Sequence, residues 1–280
     1  MIFLNGDLLA ADKVRIDPTD RGLLLGDGLF ETLRTYSGRI FRLDAHLARL
    51  QSGANALGIP LPLPLTALHA AVHRTLEANG LSEADGALRV TLTRGPGPRG
   101  LLPVTETRPT LLITAQALPP MPKHAATVHV ASVRRNEYSP LSNLKSLNYL
   151  DNIVALQEAA AQGADEALLL NTVGNVAEAS SANIFIVLNG VLKTPPLIDG
   201  VLPGITRAVI LELALRLSIP VKESSLTLAD MARAREAFLT NSLIEIRPVM
   251  KVGEYVIGDR EVGPITQQLA NAHRALVESM

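Results

Sequence analysis

Three observations predict a mixed α/β (α+β) fold in two domains. The chain has 280 residues with 47% hydrophobic and 19% charged side chains, an ordinary globular balance with enough length for two cores. Short apolar strand-like runs and longer segments of helical period occur in both halves. Pro119, Pro120 and Pro122 cluster directly after an apolar run, where neither a helix nor a central strand continues easily. The domains so drawn are residues 1–118, a proline-rich linker at 119–123, and residues 124–280.

In the first domain MIFLNGDLL, GLFETLRTY, RIFRL, ALRVTLTR and TLLITAQAL read as strands. Asp44 is placed to cap a helix through HLARLQSGANAL, and a second helix runs near Leu65 to Asn79. Pro96, Pro98 and Pro103 make TRGPGPRGLLP a loop. In the second domain ATVHVASV, ALLLN, SANIFIVLNG and EAFLTNSLI read as strands. They alternate with helices at Leu147 to Gln162, Ile205 to Leu217 and Ile265 to Glu278. No internal repeat or low-complexity tract is present.

Composition narrows the function. A net charge of −1 without a dense Lys/Arg cluster argues against nucleic-acid or anionic-membrane partners. The absence of cysteine excludes disulfides, thiolate zinc sites, iron–sulfur ligation and a cysteine nucleophile. Asn5, Asp7 and Asp12 break a signal-peptide reading, and Arg207, Glu212 and Arg216 interrupt the long apolar stretch Val201 to Ile219. The expectation is a cytoplasmic protein acting on small molecules.

Two motifs fail on context. Gly95, Gly97 and Gly100 have the G-x-G-x-x-G spacing, but the surrounding prolines leave no helix for the glycines to open. His69 and His73 stand four apart on a helix, yet neither a metalloprotease glutamate nor a third ligand accompanies them, so no metal is expected. His46 reads as a packing or capping residue rather than a catalyst.

Three other features carry chemistry. In LPGITR, Pro203 and Gly204 make a tight turn, and Thr206 begins a helix whose free N–H groups can hold a phosphate. Lys145 lies in LSNLKSLNYLDN among Leu141, Leu144 and Leu147, which can supply the apolar pocket that a nucleophilic lysine needs. Glu178 precedes Ala179, Ser180, Ser181 and Ala182, small residues that let a flat ring approach the backbone, where a carboxylate can hold a protonated pyridine nitrogen.

Taken in order, DRGLLLGDGLFETLRTY, DAHLARL, TRGPGPRG, LKSLNYLDN, EASSANIFIV, LPGITR and FLTNSLIEIRPV resemble the class IV aminotransferases, pyridoxal 5′-phosphate (PLP) enzymes of fold type IV. The resemblance covers nearly the whole chain. It implies a two-domain fold with the active site between the domains, and a homodimer. It makes Lys145 the Schiff-base and proton-transfer lysine and Glu178 the partner of the pyridine nitrogen. It assigns the phosphate to Arg49, the N–H groups of Ile205 and Thr206, the Thr206 hydroxyl and Ser242. Tyr149, or else Arg134 or Arg135, faces the phenolic oxygen. Phe30, Arg99, Asn241 and Leu243 fall at substrate positions, Arg99 as the carboxylate binder. The implied reaction is amino transfer between a branched-chain or D-amino acid and a 2-oxo acid. LPGITR, SLIEI and KSLN favour it, whereas FETLR and Asn241 favour 4-amino-4-deoxychorismate lyase. Intact Lys145 and Glu178 argue against a third possibility, a non-catalytic PLP-binding protein.

Overall fold

The structure is a computed structural model and describes residues 1–122 and 124–280. Lys123, the last residue of the expected linker, lies outside the described residues. The chain forms two compact units, one of residues 1–120 and 145–148, the other of residues 121–144 and 149–280. The mixed α/β class expected from the sequence is the one found.

The first unit contains β1 (Ile2–Leu4), β2 (Asp7–Leu9), α1 (Arg21–Leu25), β3 (Gly28–Tyr36), β4 (Arg39–Ile40), α2 (Leu43–Leu57), α3 (Leu65–Ala78), β5 (Gly86–Thr93) and β6 (Thr110–Ala117). Its six-stranded sheet runs β2-β1-β6-β5-β3-β4. The expected single strand at residues 1–9 is a hairpin. Asn5 and Gly6 both take positive φ, at 50° and 116°, the turn that joins two antiparallel strands most tightly. Nor does Asp44 cap α2: the helix starts at Leu43, Arg42 is the left-handed N-cap, and Asp44 lies in the first turn. There its charge still suits the positive end of the helix. Helices α2 and α3 bury Leu47, Leu50, Leu68 and Leu76. Residues 94–109 form the expected loop, apart from an isolated bridge between Asp20 and Pro96.

The second unit contains β7 (Ala126–Arg135), α4 (Leu150–Ala161), β8 (Glu166–Asn171), β9 (Val176–Ala179), β10 (Asn183–Leu188), β11 (Val191–Thr194), α5 (Ile205–Arg216), β12 (Val221–Glu223), α6 (Leu228–Arg233), β13 (Glu236–Asn241), β14 (Glu245–Val252), β15 (Tyr255–Val256) and α7 (Pro264–Glu278). Its sheet runs β12-β11-β10-β13-β14-β7-β8-β9, with β15 added on β14. Strands β8 and β10 are buried at every position, so they read as apolar runs rather than as alternating patterns. Phe185 and Phe238 stack across β10 and β13 with ring centroids 5.0 Å apart. Helix α4 begins at Leu150 rather than Leu147, because Lys145–Asn148 extends along the first unit's sheet instead. Its Glu158 accepts from the N–H and hydroxyl of Ser132 and from His129, bonds that lower the carboxyl pKa to about 2 and tie α4 to β7.

Candidate active site

In the first unit, residues 145–148 run beside the start of β3. Phe30 N–H donates to Lys145 O at 2.9 Å, Leu147 N–H donates to Gly28 O at 2.9 Å, and Leu29 bridges Ser146. Lys145 is therefore placed by a short backbone ladder. Gly28 is crowded from both sides: a Cβ there would stand 2.5 Å from Leu92 O on β5 and 2.8 Å from Leu147 Cδ1. Lys145 Nζ lies 4.3 Å from the centroid of the Phe30 ring, and Arg89 Cζ lies 3.7 Å from the same centroid. Phe30, expected near substrate, is 6% exposed and forms the aromatic floor under the lysine.

The next residue on β3 points the other way. Glu31 is 1% exposed and accepts from Arg49 Nε at 2.7 Å, from Arg49 Nη2 at 2.6 Å and from His46 Nδ1 at 2.7 Å. Burial alone would raise its pKa, but the Arg49 and His46 bonds outweigh that and hold it below the ordinary carboxylate value. His46 is pushed the opposite way from a typical ion-paired histidine. Its burial outweighs the Glu31 attraction and lowers its pKa, so the imidazole is neutral and Nδ1 carries the proton. This agrees with the packing role read for His46. The bidentate clamp fixes the plane of Arg49, the expected phosphate-binding arginine.

In the second unit, Glu178 lies within β9 and is 6% exposed. Its Oε2 accepts from Leu202 N–H at 3.0 Å and from Asn183 Nδ2 at 3.2 Å, while Oε1 pairs with Arg135 Nη2 at 3.2 Å. A buried carboxylate with a guanidinium and two neutral donors is a fixed, charged acceptor. The small-residue turn after it is held by Glu166, which accepts from the Ser180 and Ser181 hydroxyls, and by Asn152, which donates to Ser180 O at 2.7 Å. Sequence reasoning missed Asn183 and Glu166. Each stands at the polar edge of an apolar run, Glu166 next to Asp165 and Asn183 after Ser180, Ser181 and Ala182, where a polar residue carries no signal of its own.

The N-cap of α5 is Gly204, with no side-chain capping bond, and Thr206 is the second helical residue rather than the cap. Thr206 is 4% exposed. A Cβ on Gly204 would overlap Asn183 Oδ1, so this turn must be glycine for Asn183 to reach Glu178. Ser242 and Leu243 sit in the turn between β13 and β14. Asn241 organises that turn: Oδ1 accepts from Leu243 N–H and Ile244 N–H at 2.9 Å each, and Nδ2 donates to Ser181 O at 3.0 Å. Tyr149 is the N-cap of α4, without a side-chain capping bond. Arg134 Nη1 donates to backbone carbonyls, including Ala131 O at 2.7 Å, whereas Arg135 faces Glu178. Arg99 is exposed in the loop at 94–109.

The His69 and His73 rings are 4.9 Å apart, with His69 Nε2 3.8 Å from Asp44 Oδ1. Among the described residues no group of three or more His, Cys, Asp or Glu side chains is placed to hold a metal ion. No helix among them is long and apolar enough to cross a membrane.

A lysine held over an aromatic ring and a buried, arginine-paired glutamate are side chains that a lysine-dependent enzyme can use. The family model for class IV amino-transferases matches residues 28–252, and the chain belongs to that family. It is 41% identical over 270 residues, covering 96% of this chain and 93% of the relative, to a Methanocaldococcus jannaschii protein provisionally named a branched-chain-amino-acid aminotransferase. It is 31% identical to the D-alanine aminotransferase of Staphylococcus aureus, covering 99% of this chain and 98% of that one. It is 33% identical to branched-chain-amino-acid aminotransferase-like protein 1 of Arabidopsis thaliana, where 99% of this chain spans 51% of the relative.

Solved structures agree. The branched-chain aminotransferase of Thermoproteus uzoniensis with norvaline superposes with a TM-score of 0.92 at 35% identity, covering 99% of this chain and 94% of that one. The 4-amino-4-deoxychorismate lyase of Pseudomonas aeruginosa gives 0.87 at 31%, covering 98% of each chain. The branched-chain amino acid aminotransferase of Escherichia coli gives 0.94 at 27%, covering 99% of this chain and 94% of that one. A further branched-chain amino acid aminotransferase, complexed with N-(5′-phosphopyridoxyl)-L-glutamate, gives 0.92 at 27% with the same coverage.

Proposed function

We propose that the protein is a PLP-dependent aminotransferase that moves an amino group between a branched-chain or D-amino acid and a 2-oxo acid. The observation that carries the reading is Glu178, a buried carboxylate with a guanidinium and two neutral donors, in a family member that also retains Lys145. This donor set fits the cofactor: an anionic acceptor suits a pyridinium N–H, and an uncapped glycine-led helix start suits a phosphate.

Lys145 would hold the cofactor through Nζ and, when free of it, would hold and move the substrate α-proton. Glu178 would keep the ring nitrogen protonated. Arg49, the N–H groups of Ile205 and Thr206, the Thr206 hydroxyl and Ser242 would hold the phosphate. Tyr149, or else Arg134 or Arg135, would face the phenolic oxygen. Arg99 takes the substrate carboxylate, with Phe30, Asn241 and Leu243 bordering the substrate. When bound, PLP supplies an electron sink for the pair left by the departing α-proton. Free amino and oxo acids as substrates fit a cytoplasmic enzyme, and the resemblance to class IV aminotransferases implies a homodimer, expected to sediment at twice the 29.9 kDa chain mass.

The wild type is expected to turn yellow with PLP and Lys145→Ala to lack the visible band. A colourless wild type would refute the reading. To choose the reaction, a D-amino acid, a branched L-amino acid and aminodeoxychorismate are offered separately. Amino transfer from either of the first two is expected. Pyruvate released from aminodeoxychorismate without added oxo acid would establish the lyase instead, the activity named for the Pseudomonas aeruginosa relative.

A further inference from the structure

The guanidinium of Arg135, at the end of β7, joins three segments that the proposed reaction uses. Nη2 pairs with Glu178 Oε1 at 3.2 Å and donates to Ser142 O at 2.7 Å, three residues before Lys145. Nε donates to Gly200 O at 3.0 Å, in the turn that leads to Gly204 and α5. The same three segments are cross-tied by bonds from uncharged donors. Asn143 Nδ2 donates to Val201 O at 2.8 Å, Leu202 N–H donates to Glu178 Oε2 at 3.0 Å, and Asn183 Nδ2 donates to both Glu178 Oε2 and Leu202 O. A Cβ on Gly200 would stand 3.1 Å from Arg135 Cγ, so the arginine stem is packed as well as bonded. The Arg135 and Glu178 side chains are 17% and 7% exposed.

We propose that Arg135 is a positioning residue that decides where the proton between Glu178 and the cofactor ring nitrogen resides, by holding Glu178 as a carboxylate. This rests on the PLP reading above. Glu178 and a pyridine nitrogen share one proton. A fixed cation on Oε1 stabilises the anionic carboxylate over the neutral acid, which leaves the proton on nitrogen. A protonated ring is the stronger electron acceptor, so Arg135 supports loss of the substrate α-proton without touching substrate. A neutral side chain at 135 lets the proton return to Glu178. Lysine would keep a charge near Oε1 but lose the fork that reaches both carbonyls.

The test is made on holoenzyme carrying PLP labelled with nitrogen-15 in the ring. In Arg135→Met the ring signal is expected to move from the protonated toward the unprotonated position. At the same time kcat should fall by about tenfold or more, the factor one pK unit represents, with little change in KM. Arg135→Lys is expected to restore the protonated signal. A protonated ring with wild-type kcat in Arg135→Met overturns the proposal. So does failure of both Arg135→Met and Arg135→Gln to fold, which would mark the residue as structural. Should the wild type itself show no visible band with PLP, it is the cofactor reading that fails.

Discussion

At the scale of single residues, the contacts under the candidate site make acid the vulnerable direction. The unfolded chain binds a proton at His46 below the ordinary value of 6.5, whereas the folded chain, with that pKa lowered by burial, does not. Stability is therefore complete above that pH and declines as pH falls below it. Glu31 adds a second loss below its ordinary 4.5, since Arg49 and His46 hold the folded carboxyl lower still. A urea midpoint measured against pH should fall in two limbs, and in His46→Gln the limb between 6.5 and 4.5 should be shallower. An unchanged upper limb in the variant would show that His46 titrates alike in both states. The buried trio was only half legible. DAHLARL pointed to Arg49, but nothing in the sequence says that Glu31, on a strand, meets two side chains one helical turn apart on α2.

At the scale of elements, the start of α5 can be tested through its glycine. Gly204→Ala brings a Cβ onto Asn183 Oδ1, and Asn183 is one of the donors to Glu178. Gly204 is the N-cap, with extended backbone at φ −66° and ψ 136°, so alanine is sterically allowed by the backbone there but caps the helix less well than glycine. Cofactor affinity, measured by absorbance titration, should drop even though α5 remains helical by circular dichroism. Wild-type affinity would mean that Asn183 moves aside without cost. Elements with strong periodicity or punctuation were readable from sequence: α3, α5, α7 and β3 stand within about two residues of their expected limits. Less readable were elements decided by tertiary contact. The stretch at 147–149 has helical composition, yet backbone bonds from Leu147 to Gly28 draw it away from α4. Asn241 looked like a signature of reaction type, and its amide is engaged at both ends, Oδ1 in closing its own turn and Nδ2 in a bond to Ser181 O.

At the scale of the whole molecule, a four-residue stretch holding Lys145 belongs to the first unit although its neighbours on both sides belong to the second. It covers part of the β3 edge, and uncovered edges invite pairing with other chains. A fragment of residues 1–120 should accordingly be less soluble, and unfold at lower urea, than the same fragment with residues 144–149 appended through a flexible linker. Equal behaviour of the two would show that the ladder adds nothing to that sheet.

The same stretch bears on how such a protein can be inherited. A single recombination event near residue 120 would deliver a first half without its lysine and a second half whose lysine has no Phe30 beneath it. A crossover there can join working halves only when the incoming second half brings a lysine, and the incoming first half an aromatic ring, that fit each other.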